Sequence, residues 1–128
     1  MLHSIQRLVE NRSVEIMKHL IYICLFAITS LGMSIPDSGV CVVEFNASFN
    51  AANSVEWLND LSDCKGKRVD IVSSPDLQKE HKIVVVPTII VFNDGEEVER
   101  FQANIMMQLE ATKGEVQEAV DEIIMSAF

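Results

Sequence analysis

Strand-like and helix-like apolar patterns alternate along most of this chain. Val40 to Phe45 is a valine-rich apolar run broken only by Glu44, the texture of a buried strand. From Asn50 to Leu61 the apolar positions Ala51, Val55, Leu58 and Leu61 recur at helical spacing, which predicts a helix with Asn50 or Asn53-Ser54 at its cap. Cys64 to Lys67 reads as a polar loop around Gly66, and Val69 to Val72 as a second short strand. Pro75 suits the first turn of a helix over Asp76 to Lys82. Pro87 then opens a buried strand, Thr88 to Phe92. Asn93-Asp94-Gly95 is a hairpin turn, and Glu96 to Phe101 returns with Val98 and Phe101 inward and Glu97, Glu99 and Arg100 outward. Thr112 and Glu115 form a capping box before a stripe of Val116, Ala119, Val120, Ile123, Ile124 and Ala127. The order is β-α-β-α-β-β-α, an α/β domain with a mixed sheet, one parallel crossover and a closing antiparallel hairpin.

The first third of the chain has a different texture. Met17-Lys18-His19 precedes an uncharged run from Leu20 to Met33, followed by Ser34-Ile35-Pro36. A basic start, an apolar stretch of roughly 7–15 residues and small residues near a cut site describe an export signal. Gly32 and Ser34 suit cleavage before Ile35, with Ser30 and Gly32 as a second choice. The run falls short of the roughly 20 residues of a spanning helix, so no stable membrane span is expected after cleavage. Residues 1–16 then read as an upstream extension or Met17 as the start, and residues 35–128 as the mature domain. The competing reading makes 13–31 a buried helix. Ile21-Tyr22-Ile23 before Cys24 lacks the small residues of a lipoprotein signal.

Composition narrows the function classes. Hydrophobic residues make up 48 % of 128 positions, enough for one core and too short a chain for two. The formal net charge is −9, while residues 1–34 carry +1, which leaves −10 on the rest. Such a surface is the wrong sign for nucleic acid.

Two stretches carry a family resemblance. Val42-Val43-Glu44-Phe45-Asn46-Ala47-Ser48-Phe49 resembles the strand of the thioredoxin and protein disulfide isomerase family that leads to an aromatic residue before Cys-x-x-Cys. Val85-Val86-Pro87-Thr88, the strand after it, Asp94-Gly95 and the returning strand resemble that family's cis-proline loop and terminal hairpin. The resemblance covers about residues 40–125 and implies a thioredoxin-like fold, with a cis bond before Pro87 and the Val86 backbone open to an extended peptide. It departs at the chemistry. Asn50-Ala51-Ala52-Asn53 stands where the two cysteines are expected. Exchange needs a thiolate and a resolving thiol, and a carboxamide is neither.

The resemblance also places Glu44 as the acid beneath the redox pair, a role without a client here. Structural fates for it are a buried carboxyl with a raised pKa or a hydrogen bond to Lys67 or Arg68. Phe49 stands at the rim or in the core. Cys41 and Cys64 are the two cysteines left after cleavage, lying near the starts of neighbouring strands; two buried free thiols are the default and a structural disulfide the alternative. His81, among Lys79, Glu80 and Lys82, reads as a solvated helix residue, and one histidine with two separated cysteines makes no metal site. Asn46-Ala47-Ser48 matches a glycosylation sequon but ends a strand. Ile105-Met106-Met107 is either core or an apolar partner patch. These readings point to a non-catalytic module for a protein or extended peptide, without cofactor or metal and of open oligomeric state. The alternative is an oxidoreductase working through Cys41 or Cys64.

Overall fold

The computed structural model describes residues 34–128; the export signal read at 17–34 therefore lies, Ser34 apart, outside the described residues. Four strands form one sheet: β1 (Val40–Asn46), β2 (Lys65–Asp70), β3 (Thr88–Asn93) and β4 (Glu96–Gln102), in the order β2-β1-β3-β4. β1 runs parallel to β2, with Glu44 opposite Arg68, and antiparallel to β3. Among the described residues two α-helices flank the sheet, α1 (Pro75–Glu80) and α2 (Lys113–Ser126). The parallel crossover and closing hairpin expected from the sequence are both present.

Strand alternation sends the apolar run of β1 into two cores. Cys41, Val43 and Phe45 join Ile90, Phe92, Leu77 and Ile83 on the α1 face. Val42 joins Ile89, Val91, Val116 and Val120 on the α2 face. Both faces of β1 and β3 are covered, which explains why these strands read as continuous hydrophobic runs. The Thr112–Glu115 capping box closes in both directions, at 3.3 and 3.1 Å. At the hairpin, Asp94 and Gly95 both take positive φ, 51° and 83°, as a tight two-residue turn matched to strand twist requires.

The structure corrects four element readings. Asn50 to Leu61 is not an α-helix; it forms two short 3-10 helices, Ser48–Asn53 and Leu58–Asp60, joined by extended backbone at Ser54. Asn50 (φ −112°, ψ 20°) is itself non-helical, and the first 3-10 helix has no side-chain cap, so neither Asn50 nor Asn53-Ser54 caps a helix start. The segment contains Asn53, Ser54, Val55, Trp57, Asn59 and Asp60, each roughly 0.5 kcal/mol poorer than alanine in a helix. Val55, Leu58 and Leu61 still reach the α2-side core, so burial is kept without the helix.

The loop expected at Cys64 to Lys67 is instead the start of β2, which ends at Asp70 rather than Val72. An edge strand exposes one side and tolerates polar residues, and Gly66 lets it approach the 3-10 turn closely; a Cβ there would meet the Leu58 carbonyl oxygen at 3.1 Å. Val98 faces solvent. A register shift pairs Val91 with Glu99 but Phe92 with Glu97, leaving Val98 on a bulge. His81 is not a solvated residue either. Its ring lies against Phe45 and Phe92, with centroids 5.6 and 5.2 Å away, and its backbone oxygen accepts from Arg100 at 2.6 Å.

Candidate functional site

Where β1 ends, the chain turns back on itself through a cluster of amides. Asn46 donates through Nδ2 to the Asn50 carbonyl (3.1 Å) and to Ser54 Oγ (2.8 Å). Asn50 is only 5 % exposed, and its Nδ2 reaches Asn46 Oδ1 (3.1 Å), the Met107 carbonyl (3.2 Å) and the Val86 carbonyl (3.4 Å). Asn53 donates to Asn50 Oδ1 at 2.8 Å. One side chain therefore ties the Ser48–Asn53 turn to two other loops. Ala51 and Ala52 are exposed and make no comparable contact. The sequon reading fails here, because Asn46 is buried and its amide occupied.

The Val86–Pro87 bond is cis, and the Pro87 carbonyl accepts from Ala103 N at 3.0 Å, which fixes the loop against the end of β4. The Val86 carbonyl faces Asn50 rather than standing free, and Val86 itself is buried. Beyond β4, the Asn104 side chain accepts from Met106 N (2.9 Å) and Gln108 N (3.1 Å), while the two backbones exchange Asn104 N to Gln108 O (2.9 Å) and Met107 N to Asn104 O (3.0 Å). This tight turn pushes side chains outward. Ile105 is fully exposed, Met106 68 % and Met107 43 %, so the core-filling reading of these residues is overturned.

Phe49 is 73 % exposed and Val84 79 %, which puts Phe49 at the rim. With Ile105 and Met107 they border a groove of about 280 Å³ whose floor includes Ile71 and Val86. Among the described residues, none that lines it is charged. Apolar side chains of this size are normally found exposed singly, whereas here four of them border one groove. A second cleft, of about 350 Å³ between β4 and α2, is lined by Glu99, Glu115, Glu118 and Glu122. Among the described residues no cluster of histidine, cysteine or carboxylate groups suits a metal.

Glu44 is buried and fully engaged. One carboxylate oxygen accepts from Val55 N at 2.7 Å, the other pairs with Arg68 at 2.5 Å, and Arg68 also donates to the Val55 carbonyl at 2.6 Å. Of the two expected partners it is Arg68 that binds; Lys67 donates to the Ser34 carbonyl instead. Cys41 and Cys64 are free thiols. Cys41 belongs to the α1-side core and Cys64 packs against the α2-side core, so the two lie on opposite faces of the sheet and the alternative of a bridge between them is not realised. Burial pushes the Cys41 thiol above its ordinary range, against the opposing pull of Lys67 and Lys65. Burial likewise raises Cys64, reinforced by Cys41, Asp63 and Asp121.

Sequence reasoning missed Asn46, Ser54, Asn104 and the Met107 carbonyl as parts of the site. The spacing of Asn46, Asn50 and Asn53, four and then three apart, was the available signal. Three amides at that spacing satisfy one another where the chain leaves a strand.

No family model and no curated protein matches this chain. Solved structures are similar to it. A thioredoxin point mutant from Halobacterium salinarum NRC-1 matches with a TM-score of 0.54 at 22 % identity, over 67 % of this chain and 75 % of that one. Schistosoma mansoni thioredoxin matches with a TM-score of 0.54 at 17 % identity, over 77 % and 85 %. A designed protein gives 0.53 at 19 %, over 69 % and 83 %. Likeness at these identities shows the fold: the chain carries a thioredoxin-like domain.

Proposed function

We propose that this thioredoxin-like domain is redox-inactive and binds a protein or an extended peptide non-covalently, with Asn50-Ala51-Ala52-Asn53 standing where the family's dithiol turn stands. The observation that carries the reading is the uncharged groove bordered by exposed Phe49, Val84, Ile105 and Met107, beside a turn held by the buried Asn50 amide. In a mature chain of charge −10, an uncharged apolar groove selects for apolar partner segments. The amide cluster supplies hydrogen bonding and no nucleophile.

The competing reading is a thiol-disulfide oxidoreductase using Cys41 or Cys64. Both thiols have raised pKa values, which lowers the thiolate fraction that attack requires. Cys41 also sits about 17 Å from the Asn46 end of β1, at about 3.3 Å per residue. In an insulin-reduction assay with dithiothreitol, the protein is expected to match the background rate. Capture of partners from the native compartment is expected to weaken several-fold with Phe49→Ala or Val84→Asp. Turnover abolished by Cys64→Ser would establish the oxidoreductase instead. Export through residues 17–34 belongs to the same proposal, and the intact mass of protein from its native host tests it: a product retaining Leu20 to Met33 is uncleaved.

A further inference from the structure

Among the described residues, the sulfur atoms divide sharply by environment. Cys41 is buried and Cys64 half-buried, both with thiols held toward the protonated form. Met106, Met107 and Met125 are exposed. Met125 lies near the end of α2, away from the groove. Met107 is held out by the Asn104 turn at the groove's rim, with Met106 exposed next to it on the same turn, and Met107 takes φ of 57°, a left-handed conformation fixed by the bonds to Asn104. An exposed thioether is open to oxidation wherever it lies, but here oxidation changes the character of the groove itself.

We infer that Met107, with Met106 beside it on the Asn104 turn, is an oxidant-sensitive switch on the binding groove, modified by hydroperoxides. The inference rests on the groove being the binding surface. In the reaction the thioether sulfur attacks the terminal peroxide oxygen, an S–O bond forms, the O–O bond breaks, and the other oxygen takes up the proton of the attacked one and leaves as water from hydrogen peroxide or as an alcohol from an alkyl hydroperoxide. Sulfur is oxidised by two electrons and the peroxide reduced by two. The sulfoxide brings a strong hydrogen-bond acceptor among the exposed apolar side chains of Phe49, Val84 and Ile105, so water competes with an apolar partner there. The Met107 backbone carbonyl, which the Asn50 amide holds, is untouched by this chemistry. The groove therefore loses apolar character while the fold stays intact.

The test uses the full chain, dilute hydrogen peroxide and Nile red, a neutral apolar dye that the acidic surface does not repel. Peptide mass mapping is expected to show one added oxygen on Met106 and on Met107, the latter more slowly. Nile red affinity is expected to fall about fivefold, with unchanged far-ultraviolet circular dichroism, and to recover after treatment with methionine sulfoxide reductases. Whatever affinity the double variant Met106→Leu with Met107→Leu has before peroxide, it is expected to keep that affinity after it, whereas Met125→Leu gives no protection. If the double variant loses affinity on oxidation as the parent does, or if Met106 and Met107 stay unoxidised in the folded chain, the switch is refuted and the groove reading stands. If Phe49→Ala and Val84→Asp leave dye binding by the unoxidised chain unchanged, the groove reading fails and the switch with it.

Discussion

Asn50 shows how much one residue can hold. Its Nδ2 donates toward two backbone carbonyls on loops 36 and 57 residues away, and its Oδ1 accepts from Asn53. Only a side chain with both donor and acceptor fills these roles. Asn50→Ala leaves buried carbonyls and the Asn46 and Asn53 amides short of partners, and should cost about 2 kcal/mol. Asn50→Asp should cost more, because an ionised carboxylate cannot donate and would face the Val86 and Met107 carbonyls with like partial charge. Urea unfolding of the two variants checks the order. An aspartate variant as stable as the parent would mean that the amide hydrogens are not what binds the loops.

Elements in this chain are decided by where backbone groups find partners. The predicted helix over 50–61 loses to an alternative in which Glu44 accepts the Val55 N–H and Arg68 donates to the Val55 carbonyl. A pair of charges on neighbouring parallel strands thus replaces one turn of helical bonding. Arg68→Ala would leave the buried Glu44 carboxylate unpaired and the Val55 carbonyl without its donor. The Arg68 side chain is 42 % exposed, so water takes up part of the loss, and about 2 kcal/mol is expected, below the roughly 3–5 kcal/mol of a fully buried pair. Glu44→Gln should cost less, since an amide oxygen still accepts from Val55. Thermal unfolding of both variants would show the difference; equal losses would locate the effect in packing rather than in charge.

The same residues explain what the sequence made legible. β1, β3, the hairpin and α2 were readable because their signals are local: unbroken apolar runs, Asp94-Gly95, and Thr112 with Glu115. The bounds of β2 and the 3-10 segment were not, since they depend on Arg68 meeting Glu44 and on Gly66 lying against Leu58, contacts that no local pattern encodes. At the site, Phe49, Asn50, Val86 and Pro87 were legible individually. The amide cluster joining Asn50 to Met107 spans 57 residues and carries no local pattern.

At the scale of the molecule, one end of the sheet collects the turn after β1, the loop before β3 and the loop after β4, and Asn50 is hydrogen-bonded to the other two. The fold alone does not decide what such an end does. Installing a dithiol separates the contribution of architecture from that of residues. In Asn50→Cys with Asn53→Cys the two positions stand three apart on one 3-10 turn, where side chains three apart lie on the same side, as the 2.8 Å bond from Asn53 Nδ2 to Asn50 Oδ1 illustrates. The variant should be less stable than the parent by about the 2 kcal/mol of the lost amide bonds, and its thiols should close to a disulfide under mild oxidant. Its reactivity should nevertheless be poor. A thiolate at a redox turn is favoured by aligned peptide dipoles at a helix N-terminus, and here the turn is a six-residue 3-10 helix with Asn50 itself outside helical geometry. Position 50 is also buried, which disfavours the charged form. The first thiol is therefore expected to titrate at or above about 8.5, and insulin reduction to stay near background. A folded variant whose thiols remain unpaired would show that this is not the dithiol turn. A thiol well below the free value, with restored turnover, would show that removing the amide cluster lets the segment wind into the helix that its apolar spacing encodes.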